Sequence, residues 1–243
     1  MISQLSQMFR NMPEVVKNLL IINVLIYLTL KLNPSLLETF ALHNFGSEYF
    51  KPWQVVTHLF VHDLKSLNHL LFNMFNLVFF GYILEKKWGG KRFFMFYFFS
   101  ALGAIFLSLG INYIEFYYYL GQYSPEEMVD IMIKSKDLIV DESYWTPLVK
   151  YYEFNRYTSF GASGAIAGLL VACAYLEPNR EINIYGIFPI KFKILIPILL
   201  YIDLVLGVSN FHWDNVGHWA HLGGALFGLI LVLIWKRDRN NFY

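Results

Sequence analysis

Charge is scarce in this chain of 243 residues: Lys, Arg, Asp and Glu together make up 15% of it, where a soluble domain carries about a quarter. That scarcity excludes an ordinary soluble globule. The net charge of +1 is too small to draw a nucleic acid, and no basic stripe interleaves with aromatics outside the apolar runs. A single cysteine, Cys173, excludes an internal disulfide. Lying in an apolar run, it reads as a small packing residue. No His-Glu-x-x-His occurs, which removes a familiar helical zinc-protease pattern. Internal repeats and low-complexity tracts are also missing. What abounds is apolar: 56% hydrophobic, 19% aromatic, mean hydropathy +0.43. The composition therefore predicts an all-α integral membrane protein, with one bundle using the whole chain.

Crossing the hydrocarbon takes about 20 mostly apolar residues at 1.5 Å each. Six segments approach this, at roughly 15–32, 67–84, 93–111, 160–176, 192–209 and 216–235. Lys31-Leu32-Asn33-Pro34 after the first offers no small-residue cleavage pattern, so it reads as an uncleaved anchor. Lys and Arg concentrate on one side of six crossings, as in Lys86, Lys87, Lys91 and Arg92 after the second segment. Both termini are accordingly expected to be cytoplasmic. Residues 112–158 then form an acidic extracytoplasmic insertion, in which Ser124-Pro125-Glu126-Glu127 carries the signature of a short helix with Met128, Ile131 and Met132 on one face. A second outside segment, 33–66, opens on another helix-start pattern, Asn33-Pro34.

Three of the apolar runs carry groups that are costly in lipid. His69 is near the start of the second with Asn73 a turn later, Ser163 is near the start of the fourth, and His221 is about a turn and a half into the sixth. All three runs enter from the outside in this topology, so the polar groups share one depth just below that surface. A serine hydroxyl becomes a nucleophile when a histidine takes its proton. The oxyanion that follows needs fixed donors, which the side chains of His69 and Asn73 and the Ser163 amide at a helix N-terminus can supply. Gly161, Gly164 and Gly168, with Gly217, Gly223, Gly224 and Gly228, provide small faces that let the fourth and sixth helices approach closely.

Singly, these residues have blander readings. Ser163 alone reads as a packing serine, His69 and His221 as satisfied interior groups, and Asn73 as an interhelical bond. A metal site is the sharper competitor, with His218 and His221 three apart and His69 as a third ligand. Asp203, the one acid within a predicted span, reads as bonding a tyrosine or water, with a transport role as the alternative. His43, His58, His62 and His212 fall in outside segments, solvated or bonding their loops.

Taken together the motifs resemble the rhomboid family of intramembrane serine proteases. His69-Leu70-Leu71-Phe72-Asn73 is similar to its His-x-x-x-Asn, Gly161-Ala162-Ser163-Gly164 to its Gly-x-Ser-Gly, and Ala220-His221-Leu222-Gly223-Gly224 to its Ala-His-x-x-Gly stretch, in order and on the right helices. Gly81, Glu85 and Gly89 look similar to family positions too. The resemblance covers nearly the whole chain. It implies a six-helix bundle and a Ser163–His221 dyad with no third acid. It also implies an oxyanion hole of His69, Asn73 and the Ser163 amide, and neither cofactor nor metal. The implied partners are the lipid bilayer and single-pass membrane proteins cut within or beside their membrane segment. The implied address is a multi-pass place in a bacterial inner membrane. The fifth helix and the loop with Phe211, His212 and Trp213 would resemble a gate and a cap. Two positions depart from the pattern: Trp53-Gln54 stands where many relatives carry Trp-Arg, and Ala167 stands where many place a ring against the histidine.

Overall fold

The architecture comes from a computed structural model, which describes residues 10–121, 123, 127, 154, 156–184, 188–209 and 216–237. The described helices are α1 (Glu14–Leu32), α2 (Leu37–Phe40), α3 (Gln54–Thr57), α4 (Leu67–Trp88), α5 (Gly90–Leu120), α6 (Ser163–Leu176), α7 (Phe192–Ser209) and α8 (His218–Arg237). Among the described residues four short strands, β1 (Leu42–His43), β2 (Thr158–Ser159), β3 (Glu181–Ile184) and β4 (Phe188–Lys191), pair antiparallel as β1–β2 and β3–β4. Five of the helices are long and apolar enough to cross a membrane: α1, α4, α5, α7 and α8.

The sixth apolar helix, α6, has only 14 residues, about 21 Å of rise against roughly 30 Å of hydrocarbon. It is apolar all round, and every residue from Gly164 to Leu169 is buried. Such a helix belongs at the centre of a bundle. Close packing there depends on missing side chains. A Cβ on Gly224 would collide with the Gly164 carbonyl, and one on Gly228 would come within 2.8 Å of the Gly168 Cα. On the other flank of α8, Gly223 and Gly103 touch through backbone. The α5–α8–α6 stack is thus held at backbone contact, the arrangement small residues permit inside a membrane.

Chain reversals explain where the helices stop. Ser66 caps α4, its Oγ accepting from the Asn68 N–H at 3.2 Å. At the far end Gly89, with φ +77°, turns the chain straight into α5. Glu85, one turn before that reversal, reaches sideways to the start of α1, where Val15 and Val16 donate their N–H groups to its two oxygens at 3.0 and 2.8 Å. One buried carboxylate therefore satisfies two orphan amides at the positive end of a helix.

Helix α5 runs 31 residues, about 46 Å, well past the expected 93–111. An aromatic clasp holds the extension: Phe116 stacks on Phe154 at 3.9 Å and Tyr113 meets the same ring edge-on at 5.0 Å. Much of the expected insertion, including Ser124, Pro125, Met128, Ile131 and Met132, lies outside the described residues, as do Phe211, His212 and Trp213.

Residues 33–66 form a tied-down crown. Its hub is Gln54, fully buried. The Gln54 Nε2 donates to the carbonyls of Glu38, Thr39 and Tyr49 at 3.1, 3.4 and 3.1 Å, and its Oε1 accepts from the N–H groups of His43 and Lys51 at 3.3 and 3.1 Å. Gln54 is thus not left to solvent but anchors the crown through its amide. Nor are the crown histidines solvated: His43, His58 and His62 are all buried. Burial drives His58 and His62 each down to about 4, and also lowers His43.

Candidate active site

Ser163 is the first residue of α6, so its amide has no partner within the helix and points out of the positive end. The segment leading into it is fastened to the crown twice. β2 pairs with β1 through Ser159–Leu42 and Thr158–His43, and the Gly161 N–H donates to the His58 carbonyl at 2.9 Å. Gly161 has φ +122°, a conformation that side chains rarely tolerate. A Cβ there would meet Cε1 and Nε2 of His69 at 3.1 Å and Ser163 Oγ at 3.7 Å. The bare glycine is what lets the imidazole edge of His69 and the serine hydroxyl flank one point of backbone.

Hydrogen bonding fixes the state of that imidazole. His69 Nδ1 takes the N–H of Asp63 at 3.2 Å, so Nδ1 is the acceptor and the neutral ring carries its proton on Nε2. The ring atom beside Gly161 is therefore an N–H donor. Asn73, a turn along α4 and 4% exposed, uses one amide N–H on the His69 carbonyl at 2.8 Å. A primary amide has a second N–H to offer.

His221 stands on the fourth residue of α8, and Ala220 beside it touches α6. A Cβ on Gly164 would lie 3.3 Å from the Ala220 carbonyl oxygen. The neighbour of the serine thus meets the neighbour of the histidine across the α6–α8 contact. The other face of His221 meets an acid that the expected dyad lacked: Asp203 Oδ1, from α7, is 3.0 Å from His221 Nδ1 and 2.6 Å from His218 Nδ1. Where the sequence alone suggests a tyrosine or water for Asp203, its partners in the structure are these two imidazoles. Depth along the fifth span is the sequence signal that pairs them. Asp203 lies six residues before the end of α7, and the two histidines lie at the start of the antiparallel α8.

Among the described residues, one cluster has metal-ligand character. Donor atoms of Asp203, His218 and His221 lie within 4.8 Å of one another, a different set from the three histidines weighed above. The cavity of about 310 Å³ between Tyr82, Lys86, Lys87, Glu177 and Arg180 lies at the opposite end of α4. It takes no part in the Ser163 site.

Residues 49–122 and 141–237, well over half of the chain, match the sequence profile of the Rhomboid domain. The chain belongs to the rhomboid family. Three rhomboid relatives are similar at the level of one residue in four. One is RHOMBOID-like protein 6, mitochondrial, of Arabidopsis thaliana, 25% identical over 197 residues, 78% of this chain and 48% of that protein. An uncharacterised mitochondrial rhomboid protein of Schizosaccharomyces pombe is 25% identical over 214 residues, 76% and 52% of the two chains. RHOMBOID-like protein 12, mitochondrial, of Arabidopsis thaliana is 24% identical over 207 residues, 83% and 52%. The chain spans about half the length of these rhomboids. Their names place all three in mitochondria, which argues against the bacterial inner membrane expected from the sequence. Membership in this family of intramembrane proteases, together with five long apolar helices, makes the chain an integral membrane protein.

Proposed function

We propose that this rhomboid is a serine endopeptidase that hydrolyses a peptide bond within or beside the membrane segment of single-pass membrane proteins. Ser163 Oγ attacks the scissile carbonyl carbon while Nε2 of His221 accepts the hydroxyl proton. The oxyanion is met by the Ser163 N–H, the His69 Nε2–H and the spare amide N–H of Asn73. As the tetrahedral adduct collapses, the C–N bond breaks and His221 returns the proton to the leaving amine. Water then attacks the acyl-enzyme by the same route and frees the serine. We place this chemistry at the outer end of the bundle, with both termini on the cytoplasmic or equivalent inner side.

One observation carries the reading: Ser163 begins a short, wholly apolar helix whose glycine face rests on the helix bearing His221, while the proton-bearing edge of His69 stands beside its hydroxyl. A hydroxyl at the head of a buried helix, on a bundle whose neighbouring helices carry imidazoles, suits a substrate that is itself in the membrane. Ser163→Ala should abolish cleavage of a single-pass reporter in proteoliposomes. Turnover that persists in that variant ends the proposal. A fluorophosphonate should label the wild-type serine and leave His221→Ala unlabelled.

A further inference from the structure

We propose that Asp203 is a positioning residue for catalysis, turning the expected dyad into a Ser163–His221–Asp203 triad with His218 as a second clamp on the acid. This rests on the reading of Ser163 and His221 as nucleophile and base.

Geometry is the warrant. A carboxylate accepts and cannot donate, so a ring nitrogen 3.0 Å from Asp203 Oδ1 must carry the hydrogen. His221 is thereby held with its proton on Nδ1, and Nε2 is left with the free lone pair that a base for Ser163 requires. Without the carboxylate, the neutral ring is free to place its proton on Nε2 and to turn about its side-chain bonds. The contact also prepares the next step: when Nε2 takes the serine proton, the imidazolium stands against a fixed negative charge. No proton need pass to Asp203. The hydroxyl proton moves to Nε2, then to the departing amine, while Nδ1 keeps its own throughout.

The acid is itself held in place. His218 Nδ1 lies 2.6 Å from the same oxygen, with its side chain 8% exposed, so Oδ1 is pinned between two N–H donors one turn apart on α8. Helix α7 is otherwise mostly exposed; only Phe192 and Ile196 are buried on it. Nevertheless it comes close to α8 at this level, and Gly207 is the reason. A Cβ there would lie 3.2 Å from the His218 Cβ and 3.4 Å from Trp219 Cε2. Gly207 is four residues after Asp203, on the same face of α7. The stripe of α7 that faces α8 thus consists of a glycine that allows approach and an acid that uses it.

The test compares wild type with Asp203→Asn, Asp203→Glu and Ser163→Ala, as full chains in proteoliposomes with a single-pass reporter. Asp203→Asn keeps size and one acceptor but loses the charge, and kcat should fall about 100-fold or more with KM within about two-fold; in the best-studied serine triad the equivalent change costs about 10⁴-fold. Asp203→Glu should recover part of the lost kcat, since a carboxylate is restored on a longer arm. Nitrogen NMR on histidine-labelled protein should find His221 protonated at Nδ1 in the wild type and redistributed in Asp203→Asn. Wild-type kcat in Asp203→Asn, a loss confined to KM, or an unchanged His221 tautomer would each overturn the assignment. If cleavage survives Ser163→Ala, the serine-protease reading fails instead, so the two failures are separable.

Discussion

Gly161 shows how narrowly a single residue conditions this site. Its backbone sits at φ +122°, and the space where a side chain would begin is already bounded by the His69 ring and the Ser163 hydroxyl. Gly161→Ala therefore adds conformational strain of about 1–3 kcal/mol and pushes against the imidazole that the proposed mechanism uses as an oxyanion donor. The expected result is a kcat at least ten-fold lower, with fluorophosphonate labelling slowed in parallel, in a protein that still assembles. Full activity in Gly161→Ala would mean that His69 does not act from that position. At this scale the sequence was informative where chemistry is local. Glycines flanking a serine and a His-x-x-x-Asn on one helical face are visible as strings. Asp203 was harder, because its partners lie on another helix and periodicity does not say which face of α7 turns toward α8. Gln54 was hard to read for a different reason. Nothing in the string Trp53-Gln54 tells that the glutamine amide holds five backbone groups of the crown.

Apolar runs located the long helices, because runs of about 20 apolar residues have few other uses, but their ends were set by interactions that the runs do not encode. Phe154, distant in sequence, extends α5 by stacking on Phe116. The first turn of α6 is replaced by the strand and glycine that seat Ser163. The pairing of β3 with β4 sits in what reads as an ordinary loop. The start of α1 is a further case, since Pro13 provides no side-chain cap and the cap comes from Glu85 on α4. Glu85→Gln tests that contact between elements. The amide offers one acceptor oxygen where the carboxylate offers two, and it turns an N–H toward an N–H in a buried place. The expected cost is about 1–3 kcal/mol, read as a lower thermal midpoint in detergent. Released α1 ends should also show faster hydrogen exchange at Val15 and Val16. An unchanged midpoint would mean that the dipole and orphan amides of α1 are satisfied another way.

For the whole molecule, the geometry around Ser163 is not a property of the membrane bundle alone. The crown supplies the carbonyl of His58 that holds Gly161, the amide of Asp63 that sets the His69 tautomer, and the strand that pairs with the lead-in to Ser163. Its own cohesion includes two imidazoles that are buried and neutral. His58 Nδ1 bonds the Gln54 carbonyl at 2.8 Å, and His62 packs 5.1 Å from the His69 ring. Burial holds both near 4, whereas a histidine released to water titrates near 6.5. The released crown therefore binds protons that the packed crown refuses, and stability is lost as pH falls from about 6.5 toward 4, with no further loss below. Each histidine contributes roughly 2 kcal/mol of that loss by pH 5. Hydrogen exchange over residues 33–66 should accordingly accelerate on going from pH 7.5 to 5, beyond the intrinsic change, while α5 and α8 keep their protection. His62→Gln, which cannot titrate, should remove about half of the acceleration. A crown whose protection is flat across that range would mean that its histidines reach water in the packed state, and the site would then be held by the bundle rather than by the segment above it.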